Sequence, residues 1–318
     1  MSGKVFIPQP VDREGERYLE ERGYQIVRGC GKTDKESLKK DIAECDAMLL
    51  RTLRIDREVL SAAKRLKVVA RHGAGYDNLD WQAAKEMGIQ ATYSPDTTAL
   101  SVAEFTISSI LTLAKMTETF QKELRRGNFD YKFTHKGMDV AGKTFGIVGF
   151  GRIGRLAAKK AAAGLDMKIA AYIPRPEGKD IPDYVRVTDW ETLFRESDFI
   201  SVHVPGGGKN HHLIGEREFS CMKETAYMVN VSRGGVMDEN AFADAVRKGK
   251  IAGGAIDVFG TEPPEADCPL FGLDHVILTP HIGSNTAECM ARIGLDTAKD
   301  IHLVLSGEKP RHPIEGKK

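Results

Sequence analysis

The sequence predicts an α/β protein built from two doubly wound parallel-sheet domains. Three observations carry this. Short β-branched runs alternate with amphipathic helical stretches along most of the chain. A glycine-rich turn stands directly between an apolar strand and an alanine-rich helix. A length of 318 residues exceeds what one ordinary core accommodates. Hydrophobic residues make up 41% and charged residues 29%, the balance of a folded chain rather than a disordered one. The net charge of +1 supplies no basic excess, so no nucleic-acid partner is expected.

In order, Lys4–Pro8, Tyr24–Val27, Ala47–Leu50, Lys67–Arg71 and Gln90–Tyr93 read as strands. Helical patterns separate them at Arg13–Gly23, Ser37–Glu44, Arg57–Leu66 and Trp81–Met87, which implies a parallel sheet with right-handed crossovers. A long helical signal then runs from Ser101 to about Arg126. Its apolar residues, among them Phe105, Ile107, Ile110 and Leu113, lie on most sides, so one long helix buried on most sides is expected. The longest apolar stretch, Ala99–Met116, carries Glu104 and Lys115 and reads as a buried helix rather than a membrane span, so no membrane partner is expected. Gly127–Gly142 is polar and irregular, a connecting arm. A second αβ run extends from Lys143 to about Pro280, and a last helix from Thr286 to about Leu305 precedes a polar tail rich in Lys and Pro. Nothing resembles a secretory signal. Cys30, Cys45, Cys221, Cys268 and Cys289 are odd in number and lack zinc-ligand or redox spacing, so free thiols in a reducing cytoplasm and no metal site are expected.

The strand Thr144–Val148 runs into Gly149-Phe150-Gly151-Arg152-Ile153-Gly154, followed by a helix from Arg155 to Leu165. This is G-x-G-x-x-G in strand–turn–helix context. The first glycine permits the tight turn, the second lets backbone approach a pyrophosphate, and the third lets helix pack on strand. The helix start, with Arg152 and Ile153, then presents backbone N–H groups to phosphate. The next strand, Met167–Ile173, would normally end in an acid that binds the ribose 2′-OH of NAD. Here Ile173 holds that place and Arg175 follows. A guanidinium suits a 2′-phosphate, so NAD or NADP is expected, with NADP slightly favoured.

Later segments set polar groups at strand ends, where open α/β sheets hold ligands. His203, Val204 and Pro205 close one strand and are expected to line the cofactor crevice. Asn230-Val231-Ser232-Arg233-Gly234-Gly235 follows another, Asp257 ends a third, and Thr279-Pro280-His281 follows a fourth.

Taken with Arg71-His72-Gly73-Ala74-Gly75-Tyr76-Asp77-Asn78-Leu79-Asp80, Ser101-Val102-Ala103-Glu104 and Glu262-Pro263, these phrases in this order resemble the D-isomer-specific 2-hydroxyacid dehydrogenase family over nearly the whole chain. The resemblance implies two Rossmann-like domains. One is a flavodoxin-like outer, substrate-binding domain from residues 1–98 and 286–318, the other a dinucleotide-binding domain from residues 99–285. It implies that Arg233 binds the substrate carboxylate, that His281 is the proton donor and acceptor, and that Glu262 hydrogen-bonds and favours the protonated imidazole. Asp257 would hold the nicotinamide carboxamide, Val231 and Ser232 would adjoin the cofactor, and the backbone of Gly73, Ala74 and Gly75 would meet the carboxylate. The implied reaction moves a hydride between a nicotinamide cofactor and a small D-2-hydroxy or 2-oxo acid, in a homodimer. Arg51 and Arg71 resemble the cationic positions of phosphoglycerate dehydrogenases, which puts 3-phosphoglycerate or phosphohydroxypyruvate first and hydroxypyruvate or glyoxylate second. A cofactor-sensing binding protein of the corepressor type is the alternative from another class. No long extension follows the last helix, so a regulatory C-terminal domain is not expected. The chain departs from the family at Gly206-Gly207-Gly208, where a Leu-Thr pair is more usual.

Overall fold

The computed structural model describes residues 3–315. The chain divides into two compact domains, one formed by the residues up to Thr98 and from Asn285 onward, the other by Ala99–Ser284.

In the first domain, strands β1 (Lys4–Phe6), β2 (Gln25–Val27), β3 (Ala47–Leu50), β4 (Val68–Arg71) and β5 (Gln90–Thr92) alternate with helices α1 (Arg13–Glu20), α2 (Lys35–Ile42), α3 (Arg57–Ala62) and α4 (Trp81–Glu86). Asp12, Asp34, Asp56 and Asp80 start these helices, each carboxylate accepting a backbone N–H of the first turn. The sheet is parallel with order β2-β1-β3-β4-β5, the flavodoxin-like order. Both faces are covered, which is why all of β3 is apolar and buried. Ala47 and Leu49 point into one layer with Leu19, Ala298 and Ile301. Met48 and Leu50 point into the other with Leu38, Ile42 and Val59.

The second domain begins with α5 (Ala99–Lys115) and α6 (Thr117–Arg125), joined at Met116. The expected single helix is therefore two, bent by 57°. Met116 takes a left-handed φ of 51°, which ends the helical ladder. Beyond it, apolar periodicity stops, and α6 buries no residue while α5 buries nine. Within the irregular arm, Phe129–Phe133 forms a short 3₁₀ turn.

Then follow β6 (Thr144–Val148), α7 (Arg152–Leu165), β7 (Lys168–Tyr172), β8 (Val185–Thr188), α8 (Trp190–Glu196), β9 (Phe199–Val202), α9 (Glu216–Cys221), β10 (Tyr227–Asn230), α10 (Glu239–Arg247), β11 (Gly253–Ile256) and β12 (Val276–Leu278). All pair in parallel in the order β12-β11-β10-β9-β6-β7-β8. Strand order reverses between β6 and β9, the switch point at which such sheets hold dinucleotides. One face packs on α5 and α7 through Phe145, Ile147, Ala157 and Ala161. The other packs on α8, α9 and α10 through Ile200, Leu193, Phe219 and Phe242. No single helix among the described residues is long and apolar enough to cross a membrane.

The last helix, α11 (Ala287–Leu305), packs on α1 in the first domain. The polar tail does not simply trail away. Residues 312–314 return to β5, where Pro313 bridges Thr92 in antiparallel fashion and the Ile314 N–H donates to the Ala91 carbonyl at 2.9 Å. Ile314 is buried there, and Arg311 donates to the buried carboxylate of Asp300 at 2.8 Å. A single apolar residue among Lys and Pro carried this contact, too little for a sequence pattern to register.

Candidate active site

The glycine turn after β6 is shaped by close approaches. A Cβ on Gly149 would lie 2.6 Å from the His203 carbonyl oxygen, and one on Gly154 would lie 2.5 Å from the Gly149 oxygen. These positions bring strand, helix and the neighbouring strand end into backbone contact. A Cβ on Gly151 would meet nothing within 4 Å, so open space fronts the helix. Helix α7 starts at Arg152, three residues earlier than the sequence pattern indicates, and Gly151 before it offers no side-chain cap. The first turn of the helix, Arg152, Ile153 and Gly154, therefore borders that space, with no side chain at the cap position to fill it. This cradle fits a pyrophosphate. After β7, Ile173 is buried and Arg175 exposed, with no carboxylate at the strand end.

Beside the turn, the His203 N–H donates to the Val148 carbonyl at 2.8 Å, extending the ladder by one residue. Its Nε2 bonds the Ser201 hydroxyl at 2.7 Å, while Nδ1 is cut off from solvent with no hydrogen-bond partner. Burial pushes this imidazole down to about 3. Val204 is partly buried and Pro205 exposed.

At the end of β10, buried Asn230 acts as a strut. Its Oδ1 accepts from the Ser232 N–H at 3.1 Å and hydroxyl at 2.9 Å, and its Nδ2 donates to the Arg233 carbonyl at 3.2 Å. Val231 and Ser232 are buried, and Arg233 Nη1 donates back to the Ser232 carbonyl at 2.7 Å.

The ends of β11 and β12 hold a histidine–carboxylate pair. His281 Nδ1 lies 2.8 Å from Glu262 Oε2, and the other Glu262 oxygen accepts the Phe259 N–H at 3.1 Å. Burial raises the Glu262 carboxyl, but the His281 hydrogen bond and charge, the Phe259 N–H and the Arg233 charge together hold it below its ordinary value. An ionised carboxylate has no proton to give, so Nδ1 is the donor and Nε2 is left for chemistry. The His281 side chain is 45% exposed, so its ring reaches solvent. Its φ of 54° is rare for a residue with a Cβ. Asp257 enforces it: its carbonyl accepts the His281 N–H at 2.9 Å, and its buried carboxylate accepts from the Thr279 hydroxyl and the Ile282 and Gly283 N–H groups at 2.6–2.8 Å.

Arg51, Gly73, Ala74 and Gly75 belong to the first domain. Arg51 Nη1 donates to the Pro10 carbonyl at 2.9 Å, and Asn78 donates to the carbonyls of Arg51 and Leu53, tying the loop after β3 to the loop after β4. Gly73 has φ 132°, and the Arg71 guanidinium folds over it to donate to the His72 carbonyl. His72 is 3% exposed with no partner at Nε2. Burial, then the Arg71 and Arg51 charges, push it down to about 4.

Sequence reasoning overlooked three supports of this geometry: Asn230 as a strut, the Thr279 hydroxyl on Asp257, and Glu239, whose Oε1 accepts the Gly260 N–H at 2.7 Å. Only Asn230 carried a signal, as a turn-forming residue at a strand end. Stacked His211 and His212 belong to no metal site, and no cluster of His, Cys, Asp or Glu among the described residues could hold a metal.

A cradle that fits a pyrophosphate and an imidazole held by a carboxylate both stand at the strand ends of one parallel sheet, the side on which such sheets hold dinucleotides. The chain belongs to the D-isomer-specific 2-hydroxyacid dehydrogenase family: residues 107–283 match the model of that family's NAD binding domain. It is 39% identical over 308 residues to D-3-phosphoglycerate dehydrogenase of Methanocaldococcus jannaschii, covering 96% of this chain but 58% of the relative. It is 38% identical over 301 residues to hydroxypyruvate reductase of Thermotoga maritima, covering 94% of this chain and 97% of the relative. A crystal structure of a Thermus thermophilus protein superposes with a TM-score of 0.90 at 30% identity, over 98% of this chain and 99% of the other.

Proposed function

We propose that the chain reduces a small 2-oxo acid to its D-2-hydroxy acid, or runs the reverse, with hydroxypyruvate or glyoxylate as the preferred class. The observation that carries the reaction is the Glu262–His281 pair, with its carboxylate ionised and its Nε2 free of that bond. A nicotinamide dinucleotide, when bound, supplies or accepts the hydride. The first turn of α7 binds its pyrophosphate, and Asp257 positions the segment that carries His281. Arg233 takes the substrate carboxylate as a cation with a planar fork of donors. In reduction His281 gives the Nε2 proton to the carbonyl oxygen, and Glu262 stabilises the imidazolium before that transfer.

Two observations turn the substrate order from phosphorylated acids towards hydroxypyruvate and glyoxylate. Arg51 already donates to the Pro10 carbonyl. Two relatives, each 38% identical to the chain, are named hydroxypyruvate reductase and glyoxylate reductase. A phosphorylated substrate is the second reading, favoured by the two guanidinium charges of Arg71 and Arg51 that act together on His72. For the cofactor, exposed Arg175 and the missing strand-end acid favour NADP. Exposed Leu124, Phe129 and Phe133 support a homodimer through α6 and the arm after it. The five free thiols fit a reducing, cytoplasmic setting.

The test is loss of reduced-nicotinamide absorbance with NADH and NADPH crossed against hydroxypyruvate, glyoxylate, phosphohydroxypyruvate and pyruvate. Turnover best with NADPH and hydroxypyruvate or glyoxylate is expected. Saturation only by phosphohydroxypyruvate would install the second reading. Cofactor binding without turnover of any acid would favour a sensing protein.

A further inference from the structure

We infer that Glu239 is a positioning residue for proton transfer: its carboxylate holds the Gly260 N–H and so fixes the turn from which Glu262 reaches His281. The inference rests on the acid–base reading proposed for that pair.

Glu239 is the first residue of α10, a place where an acidic side chain ordinarily serves its own helix. Here that need is already met. The preceding residue, Asp238, accepts the N–H groups of Asn240 and Ala241, each at 3.0 Å. Glu239 instead reaches 21 positions along the chain, where its Oε1 accepts the Gly260 N–H at 2.7 Å. Bonds from a backbone N–H to a carboxylate are among the stronger ones.

The turn it grips has little else to hold it. Phe259 is buried in the core, and the next buried residue is Cys268. Thr261, Glu262 and Pro263 are exposed, so no apolar packing fixes the carboxylate that meets His281. Glu262 Oε1 accepts the Phe259 N–H at 3.1 Å, which closes a ring from Phe259 to Glu262. The peptide between Phe259 and Gly260 is a member of that ring. On one side it lies against Gly234, where a Cβ would fall 1.9 Å from the Phe259 carbonyl carbon. Its N–H is the one that Glu239 takes. The bond therefore sets the direction in which the chain leaves Phe259, and with it the place of Glu262 Oε2, 2.8 Å from His281 Nδ1. Without it the exposed turn pivots about Phe259, and the imidazole loses the partner that fixes its tautomer. The other charges at the pair are Arg233, which acts on Glu262, and Asp257, whose carboxylate is taken up by the backbone of the His281 segment.

The experiment compares Glu239→Gln, Glu239→Asp and Glu239→Ala with the unaltered enzyme, alone and combined with Glu262→Ala. It measures kcat, its pH profile and KM for whichever of hydroxypyruvate, glyoxylate and phosphohydroxypyruvate turns over best, and the Kd of the reduced cofactor by fluorescence. Gln keeps the acceptor and removes the charge. Asp keeps the charge and draws the acceptor back by one methylene. Glu239→Ala should lower kcat about tenfold and Glu239→Asp at least about threefold, with Glu239→Gln within about twofold of the parent. The basic limb of the profile for reduction should move to lower pH in the Ala and Asp variants only, because the imidazolium there has lost its support. Cofactor Kd should stay within about twofold. In the Glu262→Ala background, loss of Glu239 should cost less than about twofold, since the turn then has no carboxylate to misplace. Equal losses in Glu239→Gln and Glu239→Ala would put charge in the place of geometry and overturn the inference. Additive losses in the double variant, or unchanged kcat in both the Ala and Asp variants, overturn it as well. If Glu262→Ala alone keeps the parent kcat, the acid–base reading itself fails, and this inference with it. Should Glu239→Ala not fold, the Gln and Asp variants decide between them.

Discussion

At the residue scale the molecule holds its chemistry by pinning backbone. Asp257 grips three donors of the His281 segment, and Glu262 uses one oxygen on Phe259 and the other on His281. His281→Ala should lower kcat at least ~100-fold, the ordinary worth of a positioned acid–base group. Glu262→Gln should lower it about tenfold or more, because the amide can no longer fix the tautomer or support the cation. Near-normal steady-state turnover in His281→Ala would remove that residue from the mechanism. Half-buried His203, whose Nδ1 is cut off from solvent, and buried His72 make a separate prediction. Their imidazoles are pushed down to about 3 and about 4, while in the unfolded chain each binds a proton near its ordinary value. The unfolded state then binds more protons, so their contribution is complete above about pH 6.5 and is lost as pH falls towards 4. By pH 5 each should cost about 2 kcal/mol. Urea unfolding of the cofactor-free protein at pH 7 and pH 5 tests this, and His203→Gln should flatten the decline. Identical pH slopes in variant and parent would refute it for His203.

At the scale of elements, the dinucleotide turn and its helix were legible because their requirements are local. Strand, tight turn and uncapped helix start all lie within about twenty consecutive residues. Gly154→Ala should separate α7 from the turn, since its Cβ would press on the Gly149 oxygen and on Ile147 Cγ2 at 3.0 Å. A loss of about 1–3 kcal/mol and at least tenfold weaker cofactor binding are expected, read by thermal unfolding and by fluorescence titration. Unaltered cofactor affinity would show that the close packing is dispensable. The break at Met116 was not legible. Neither Gly nor Pro stands near it to stop a helix, and what divides the two sides is that α5 has a sheet face to cover while α6 buries nothing. Likewise, the return of residues 312–314 to β5 depends on a free strand edge and the Asp300–Arg311 pair, not on its own pattern. Arg311→Ala should cost about 2 kcal/mol, since Arg311 is 36% exposed and its loss leaves the 1%-exposed Asp300 carboxylate without its cation. A chemical-denaturation midpoint within error of the parent would contradict this.

At the scale of the whole molecule, the proposed homodimer predicts that Phe129→Asp with Phe133→Asp raises the monomer fraction in sedimentation velocity without altering the far-ultraviolet circular dichroism. A monomeric parent protein would end the proposal. Two parallel sheets, a dinucleotide turn and membership of the 2-hydroxyacid dehydrogenase family could all be read along the chain, because each is encoded by neighbours: alternation of period 2 and 3.6, glycines at fixed offsets, polar groups just after apolar strands. Other features could not be read that way, because each joins residues far apart in the chain through space that no pattern describes. Helix α11 packs on α1. Asp257 reaches across 22 to 26 positions to shape the His281 segment. Gly206 lies against the stem of Arg233, 27 positions on, a meeting that only the folded backbone brings about.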